Sequence, residues 1–261
     1  WISIGPFSLQ PSELAKIGII LFLAAYISSK SREMRQWKKM VIPFLFAIPI
    51  IVIVGIENLS TCIILLAISF IMIFVATPLL VPFVVIGLIG VAGAGGLLLT
   101  QGYRMERITV WLDPAASEKG HQTIQGLYAI GSGGLFGKGL GQSMQKLGFL
   151  PEANNDMIFS VICEELGLFG ALCVLALFFA LIWRFMVIAV NAPDLYGSMI
   201  VVGVIAHIGI QVFINIAVAT NTIPNTGIPL PFISYGGSSL VFMLLEMGLV
   251  LSVSRYINVK K

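Results

Sequence analysis

The sequence predicts an all-α fold, a polytopic transmembrane helical bundle, and two observations support that prediction. Hydrophobic residues make up 58% of the chain and charged residues only 10%, whereas a soluble globular domain carries roughly 25% charged residues. The mean hydropathy is +1.00. The chain also holds about seven apolar stretches close to the roughly 20 residues that one helical crossing needs. Barrel strands would alternate over about 10 residues, so the spans are expected to be helices.

The predicted spans follow the apolar stretches in chain order. They are residues 14–29, 41–55, 61–77, 79–100, 157–190, 195–220 and 234–254. A long loop, residues 101–155, separates the fourth span from the fifth. Because the opening residues already read as a loop between spans, we expect a fragment that lacks its true N-terminus. We treat residues 1–261 as a single integral membrane domain.

Basic residues set the expected orientation in the membrane. Five of them crowd the short loop after the first span, which the positive-inside rule assigns to the cytoplasm: Lys30, Arg32, Arg35, Lys38 and Lys39. Alternation then places the tail with Arg255 and Lys261 inside as well. The long loop 101–155 falls on the extracytoplasmic side.

Charge and cysteine content argue against several classes of protein. The net charge is only +3, and the basic residues gather at span ends instead of forming a stripe that could neutralise many phosphates, so we expect no nucleic-acid partner. The three cysteines lie in apolar runs without the paired spacing of zinc or redox motifs. Metalloprotease and serine hydrolase motifs are also missing from the sequence.

The loop 101–155 is expected to be functional. It is longer than a connector requires and carries too much apolar surface for a solvated linker. A run of glycines from Gly131 to Gly141 permits tight turns and close approach of the backbone to a ligand. Lys138 lies within this run, but the spacing and the strand-to-helix context of a nucleotide-binding P-loop are missing.

Asp156 stands where this loop meets the fifth span, at the expected membrane–water boundary. Ionisable groups within spans usually face a cavity or a partner, and helical spacing puts a polar and small stripe on the face of Asp156: Ser160, Cys163, Glu164, Gly167 and Gly170. Asp156, Ser160 and Glu164 are therefore candidates for a site. The alternative is a first-turn carboxylate that only complements the helix dipole, worth about 0.3–1 kcal/mol.

Charged residues near the outer ends of the spans are further candidates. Glu13 and Lys16 form an i, i+3 pair, which is either a surface ion pair or a pair that holds a phosphate near lipid headgroups. The charges of the long loop are either solvated or part of a pyrophosphate site, because Arg and Lys both bind phosphate. The loop residues concerned are Arg104, Arg107, Lys119, Lys138, Lys146 and, beside them, Glu152.

Taken together, the motifs resemble one family, the SEDS proteins of shape, elongation, division and sporulation, which include FtsW, RodA and SpoVE. The matching segments run in family order: residues 10–16, 103–114, 131–142, 150–156, 164–167, 224–227 and 233–239. Thr226 and Ser238 lie in the last two segments and join the substrate-binding candidates. The family has about ten spans, against about seven here, so the resemblance also implies missing spans.

The resemblance implies a peptidoglycan glycosyltransferase that polymerises lipid II, an undecaprenyl-pyrophosphate-linked disaccharide peptide, at the outer face of the bacterial cytoplasmic membrane. The glycan strands would serve cell division, elongation or sporulation. It also implies a class B penicillin-binding protein transpeptidase as partner, with other divisome or elongasome membrane proteins. The essential acid of the family closes its Pro-Glu-x-x-x-Asp motif, here Asp156. No residue cluster in the sequence requires a cofactor, although a divalent cation (Mg or Mn) could help to stabilise the charge on the departing pyrophosphate.

Two places depart from the family pattern. Asn58 stands where the family often has an acid, and Asn154 and Asn155 replace the His-Thr that often precedes the essential acid. We therefore expect no chemistry from these side chains. We favour the division or sporulation branch over elongation.

The predicted reaction uses Asp156 as the general base that takes the proton of an acceptor hydroxyl during attack on an anomeric carbon. Basic residues of the long loop, with Lys16, would stabilise the departing pyrophosphate. Two alternatives of other classes stay open. One is a scaffold without catalysis, and the other is a flippase whose path would be lined by Glu164, His207, Gln211 and Asn215.

Overall fold

The computed structural model describes residues 2–4, 7–77, 87, 102–117 and 120–257. Its regular secondary structure is helical except for one short antiparallel hairpin, in which β1 (Ile2–Ile4) pairs with β2 (Phe7–Leu9). Six described helices are long and apolar enough to cross a membrane. The predicted class, an all-α polytopic membrane protein, is confirmed. The predicted span 79–100 lies outside the described residues, apart from Gly87.

Three membrane helices follow the hairpin: α1 (Pro11–Ser29), α2 (Trp37–Glu57) and α3 (Leu59–Ala76). Proline suits the first position of α1, where a backbone N–H has no helical acceptor. Asn58 separates α2 from α3 and accepts a hydrogen bond from the Thr61 N–H at 3.1 Å. The residue that stands in place of the family's acid is therefore a helix cap.

The long loop is partly helical. It contains α4 (Gly102–Leu112) and α5 (His121–Gly133), with short 3₁₀ turns at Pro114–Ala116 and Gln145–Leu147. A search for span-length apolar stretches does not detect such helices, because they have only 11 and 13 residues and mix polar with apolar side chains.

The remaining membrane helices are α6 (Ile158–Val190), α7 (Leu195–Ala219) and α8 (Gly237–Arg255). The backbone of α6 is not helical at Gly167, where φ is 69° and ψ is −167°. α8 begins after the predicted start at Ser234, because that side chain is used elsewhere: its Oγ donates to the Asn155 carbonyl at 2.6 Å and accepts from the Leu230 N–H at 2.6 Å.

The described chain forms two compact units. The first is built from the described residues within Trp1–Ile86, Ala180–Ile210 and Gly236–Lys261. Its core lies between α1 and α3, where Ile20 and Met72 are buried, and Gly203 of α7 packs against both because a Cβ at this position would overlap their side chains.

A polar pair is also buried in the first unit. The Nδ1 atom of His207 on α7 lies 2.9 Å from both carboxylate oxygens of Glu246 on α8. Each of these two residues is only 1% exposed. His207 is thus an interhelical contact, the arrangement that is commonest for a lone polar residue within a span.

The second unit is built from the described residues within Gly87–Phe179 and Gln211–Tyr235. It contains α4, α5, the first part of α6 and the last part of α7. Asp156 belongs to this unit, together with the residues that hold it.

Candidate active site

Asp156 lies in a series of turns over residues 151–157, just ahead of α6. The Nδ2 group of Asn215, on α7, donates to the backbone carbonyl of Asp156 at 2.7 Å and to that of Ile228 at 2.9 Å. The carbonyl of the preceding residue, Asn155, accepts the hydrogen bond from Ser234. The backbone that carries Asp156 is therefore tied to two other segments of the chain.

The Asp156 side chain is buried and has one hydrogen-bonding side-chain donor among the described residues. Asp156 is 7% exposed, and Nε2 of Gln122, in the first turn of α5, lies 3.3 Å from Oδ1 and 3.4 Å from Oδ2. Gly227 lies on another side, where a Cβ would come within 4.0 Å of Oδ2. Because Gly227 has a φ of 66°, a side chain there would also be strained.

Burial raises the pKa of Asp156 from its ordinary 3.8 to about 6. The negative charge of Glu152 raises this pKa further, whereas the Asp156 N–H, Gln122 and the positive charge of Arg107 lower it. A carboxylate with a pKa near 6 is still mostly ionised at neutral pH but binds a proton more readily than a solvated aspartate does. This combination suits a general base.

Helix α4 brings positive charge to the same unit. Arg107 donates from a terminal guanidinium nitrogen to the Asn225 carbonyl at 2.9 Å, and the indole N–H of Trp111 donates to the Asn221 carbonyl at 2.9 Å. These two bonds attach α4 to the segment that leads to Gly227. Arg104 belongs to the same helix, but its side chain lies outside the described residues.

The two glutamates of α6 bind the segment that follows α5. Lys138 Nζ lies 2.6 Å from Glu164 Oε1, and Lys146 Nζ lies 2.5 Å from Glu165 Oε1. Ser143 Oγ also donates to Glu164, at 2.5 Å. Lys138 and Lys146, both candidates for a pyrophosphate site, are therefore ion-paired with the protein itself.

Glu165 binds the same segment as Glu164. Glu165 accepts hydrogen bonds from the N–H groups of Gly141 at 2.9 Å and Ser143 at 3.4 Å. The segment therefore binds both glutamates just ahead of the interruption of α6 at Gly167.

Other candidates in this unit occupy different environments. Ser160 is completely buried, and its Oγ would lie 3.3 Å from a Cβ at Gly126, so it packs between α5 and α6. Thr226 is partly exposed in the segment next to Gly227. Glu152 is exposed, and its carboxylate accepts a hydrogen bond from Nδ2 of Asn155.

Three candidates belong to the first unit. Lys16 is 1% exposed and its Nζ lies 2.8 Å from Glu13 Oε1, so this ion pair is buried and not a surface pair. Ser238 is partly exposed in the first turn of α8.

The sequence interpretation missed Gln122 and assigned Asn215 only to a transport path. Gln122 is 34 residues from Asp156 along the chain, and no motif spacing links a glutamine in an amphipathic helix to a distant acid. The signal that was available for Asn215 was its polarity inside an apolar span.

Comparison with known proteins identifies the family. A family model described as cell cycle protein, which covers FtsW, RodA and SpoVE, matches residues 1–259. This chain belongs to the FtsW/RodA/SpoVE family. Stage V sporulation protein E of Bacillus subtilis (strain 168) is 48% identical over 262 residues, which cover 98% of this chain and 71% of that protein. A probable peptidoglycan glycosyltransferase FtsW of Geobacter sp. (strain M18) is 36% identical over 258 residues, covering 97% and 70% respectively.

Solved structures of other FtsW/RodA/SpoVE-like chains share the fold. A chain from a study of structural coordination of polymerization and crosslinking by a peptidoglycan synthase complex matches with a TM-score of 0.79 at 28% identity, covering 100% of this chain and 74% of that one. The rod shape determining protein RodA of Thermus thermophilus matches with a TM-score of 0.66 at 28% identity, covering 98% and 69%.

Proposed function

We propose that this member of the FtsW/RodA/SpoVE family is a peptidoglycan glycosyltransferase that polymerises lipid II, with Asp156 as its general base. The observation that supports this role is the environment of the carboxylate. It is buried, its pKa is raised to about 6, and both oxygens face the amide of Gln122. The class of reaction is supported by relatives named as probable peptidoglycan glycosyltransferases.

In the proposed reaction, a sugar hydroxyl of the acceptor attacks the anomeric carbon of the donor. The new bond forms between hydroxyl oxygen and carbon, the bond from that carbon to the lipid pyrophosphate breaks, and the pyrophosphate leaves with the electron pair. Asp156 takes the hydroxyl proton as the oxygen attacks. Such general-base assistance contributes about 10²–10⁴-fold to a rate.

We propose that arginines of α4 stabilise the negative charge on the leaving pyrophosphate. Arg107 lies close enough to Asp156 to lower its pKa, and guanidinium groups bind phosphate oxygens in a bidentate manner. Arg104, three residues earlier on the helix, is proposed for the same role. Lys138 and Lys146 form ion pairs with Glu164 and Glu165, so the arginines are preferred to these lysines for binding the pyrophosphate. Glu152, Thr226 and Ser238 are at least partly exposed and are also proposed to contact the substrate. Glu13, Lys16, Ser160 and Glu164 are buried, so we propose that they support the fold around the substrate and do not contact it directly.

Around Asp156, the residues that the structure describes do not form a ligand set for a resident metal ion. The acids whose charges interact at the site are Asp156 and Glu152, and among the described residues no group of three or more His, Cys, Asp or Glu side chains is arranged to hold a metal. A ligand role for Asp156 would also compete with its role as a base. A divalent cation is therefore proposed only as an ion bound to the phosphates of the substrate.

The active face is proposed to be extracytoplasmic, with a class B penicillin-binding protein as partner. The basic loop after α1 supports this orientation. The partner is supported by the likeness to a chain of a peptidoglycan synthase complex.

A flippase is the rival function, and the described contacts do not favour it. Its path would require polar side chains that are available to a moving headgroup. Asn215 instead holds two backbone carbonyls, Glu164 is paired with Lys138, and His207 is paired with Glu246. Each of these three is already bonded within the protein, whereas Gln211, the fourth residue of that path, is buried and its Oε1 has no hydrogen-bond partner among the described residues.

The proposal is tested by glycan polymerisation from purified lipid II, with the full-length protein and its transpeptidase partner in detergent. Asp156→Asn should reduce the rate by about 10²-fold or more. Asn154→Ala, in the same series of turns, is the matched control and should keep the wild-type rate. In proteoliposomes, lipid II movement that depends on Asp156 without any polymerisation would favour the flippase. Normal polymerisation by Asp156→Asn would end the proposed base role.

A further inference from the structure

Residues 134–142, which we call the glycine loop, expose large apolar side chains. Leu135 is 65% exposed, Phe136 81% and Leu140 77%. Exposed apolar surface of this kind marks a contact with a membrane or with another protein. The mechanism proposed above does not use these side chains, so their exposure requires another explanation.

The glycine loop carries little free charge. Its one lysine, Lys138, is ion-paired with Glu164 at 2.6 Å, and the Glu164 side chain is completely buried. The loop contains no acidic residue. The surface it presents is therefore apolar side chains and glycine backbone, apart from Gln142 and the paired ammonium group.

The backbone of the glycine loop is hydrogen-bonded in a way that suits a medium without water. Four backbone N–H groups of the loop donate to acceptors within the protein at 2.8–3.0 Å. The pairs are Gly137 to Gly133 O, Lys138 to Glu164 O, Gly139 to Glu165 O, and Gly141 to Glu165 Oε2. Irregular backbone is tolerated at membrane depth only where the protein satisfies its polar groups. A loop in water would not need internal acceptors for these donors.

The glycine loop is also continuous with a membrane span. The N–H groups of Leu168 and Phe169, the first residues of α6 after its interruption, donate to Gly134 O at 2.9 Å and Leu135 O at 3.0 Å. Residues 168–190 alone exceed the roughly 20 residues that one crossing needs, and Leu168 and Phe169 are themselves exposed. The apolar surface of the loop thus borders directly on the exposed apolar surface of a span.

We infer that the glycine loop is inserted in the hydrocarbon of the bilayer, with Leu135, Phe136 and Leu140 against lipid acyl chains. Bilayer lipid is favoured over a partner protein as the occupant because the loop continues the exposed surface of α6 and because the N–H groups of Gly137, Lys138, Gly139 and Gly141 have acceptors within the protein. The loop directly follows α5, whose first turn carries Gln122, so the proposed lipid-facing surface is joined in sequence to the helix that contacts Asp156.

The experiment is spin-label accessibility in proteoliposomes of phosphatidylethanolamine and phosphatidylglycerol. The full-length protein, with Cys62, Cys163 and Cys173 changed to Ala, receives a nitroxide at a single new cysteine, Phe136→Cys. Leu177→Cys, an exposed position of α6, is the lipid reference, and Asn154→Cys, an exposed position next to Asp156, is the water reference. Only labelled proteins with the melting temperature of the unlabelled parent are compared.

The label at position 136 should collide with oxygen more often than with a water-soluble nickel complex, with a ratio that matches Leu177→Cys and exceeds Asn154→Cys. Leu140→Cys should give the same result. A ratio equal to that of Asn154→Cys would mean that the loop lies in water and would overturn the inference. Shielding from both oxygen and nickel would mean that protein covers the loop, which would overturn it as well.

Discussion

At the scale of single residues, the burial of Asp156 suits its proposed role as a base but lowers the stability of the folded protein. Its pKa in the folded protein, about 6, lies above the ordinary 3.8, so the folded state binds a proton more tightly than the unfolded state does. The stabilising contribution is complete below pH 3.8 and is lost as the pH rises through about 6. At neutral pH the buried carboxylate therefore destabilises the fold by roughly 2–3 kcal/mol.

Asp156→Asn should therefore stabilise the protein while it removes activity. At pH 8 we expect a gain of up to roughly 2–3 kcal/mol in the free energy of unfolding, because the amide needs no charge in a buried site. The gain should fall to about half of this at pH 5, because the folded state is then mostly protonated while the unfolded chain is still mostly ionised, and it should vanish only below the ordinary pKa of 3.8. Thermal unfolding at both pH values measures this, and the polymerisation rate of the wild type should itself fall below about pH 6. A variant that is less stable at pH 8 would contradict this account of Asp156.

Gln122 is expected to position Asp156 and to hold down its pKa. Without the two contacts from Nε2, the carboxylate loses a donor that favours its charged form, so Gln122→Ala should move the acid limb of the pH–rate profile to higher pH. Gln125→Ala, on the same helix, should leave the limb where it is. A purely structural role for Gln122 would instead lower the rate equally at every pH.

Sequence interpretation at this scale identified Asp156 but not its partners. An acid at the boundary of an apolar span is conspicuous by itself, whereas Gln122 and Asn215 become partners only through tertiary contacts over 34 and 59 residues. Lys138 and Lys146 show the opposite case. Their charge was visible in the sequence, but their pairing with Glu164 and Glu165 depends on tertiary contacts over 26 and 19 residues.

At the scale of elements, the glycine loop and the interruption of α6 depend on each other. Gly137 and Gly167 have φ values of 76° and 69°. A Cβ on Gly137 would overlap backbone atoms of Glu165 and Gly167, and a Cβ on Gly167 would overlap those of Leu135 and Gly137. Glycine is required here for both its conformation and its small size.

Gly137→Ala and Gly167→Ala should each destabilise the protein by about 3 kcal/mol or more, since backbone must move to admit the methyl group. Gly131→Ala is the control, because nothing lies within 4 Å of a Cβ there and the residue is helical. That change should be neutral or stabilising by up to about 1 kcal/mol. Equal melting temperatures for all three variants in detergent would be incompatible with the close packing described for the glycine loop.

The ion pair between Lys138 and Glu164 should be visible in a double-mutant cycle. Lys138→Met leaves a buried carboxylate without its cation, and Glu164→Gln removes the charge, so the double variant should be more stable than the sum of the single effects predicts, by about 1–3 kcal/mol. Lys39→Met with Glu164→Gln is the control cycle, because Lys39 pairs with Glu33. Additive effects for Lys138 and Glu164 would mean that the pair contributes no coupling.

The interruption of α6 was not accessible from the sequence. Hydropathy treats residues 157–190 as one apolar stretch, and helical spacing then extends a single face from Asp156 to Gly170. The structure ends that face at Gly167 because the glycine loop supplies the hydrogen bonds that the helix loses there. The donor and acceptor groups of the loop come from residues 134–139, which no local pattern assigns to the middle of a span.

At the scale of the whole molecule, the fold class follows from composition, since an apolar chain of this kind can satisfy its backbone in lipid only through helices or a closed barrel. The sidedness of the site depends on the number of crossings. Between Ser31, after α1, and Asn154, beside Asp156, lie α2, α3 and the predicted span 79–100. Three crossings put these residues on opposite faces, whereas two would put them on the same face.

Cysteine labelling in intact cells decides between these cases. In a background without native cysteines, Asn154→Cys should react with a membrane-impermeant thiol reagent and Ser31→Cys should react only after the cells are opened. Both positions are exposed, so burial does not explain a difference between them. Labelling of both sites from outside would remove residues 79–100 from the set of spans. Labelling of Ser31→Cys alone would mean that the orientation is the reverse of the predicted one. Asp156 would then face the cytoplasm, which would contradict the proposed extracytoplasmic polymerisation.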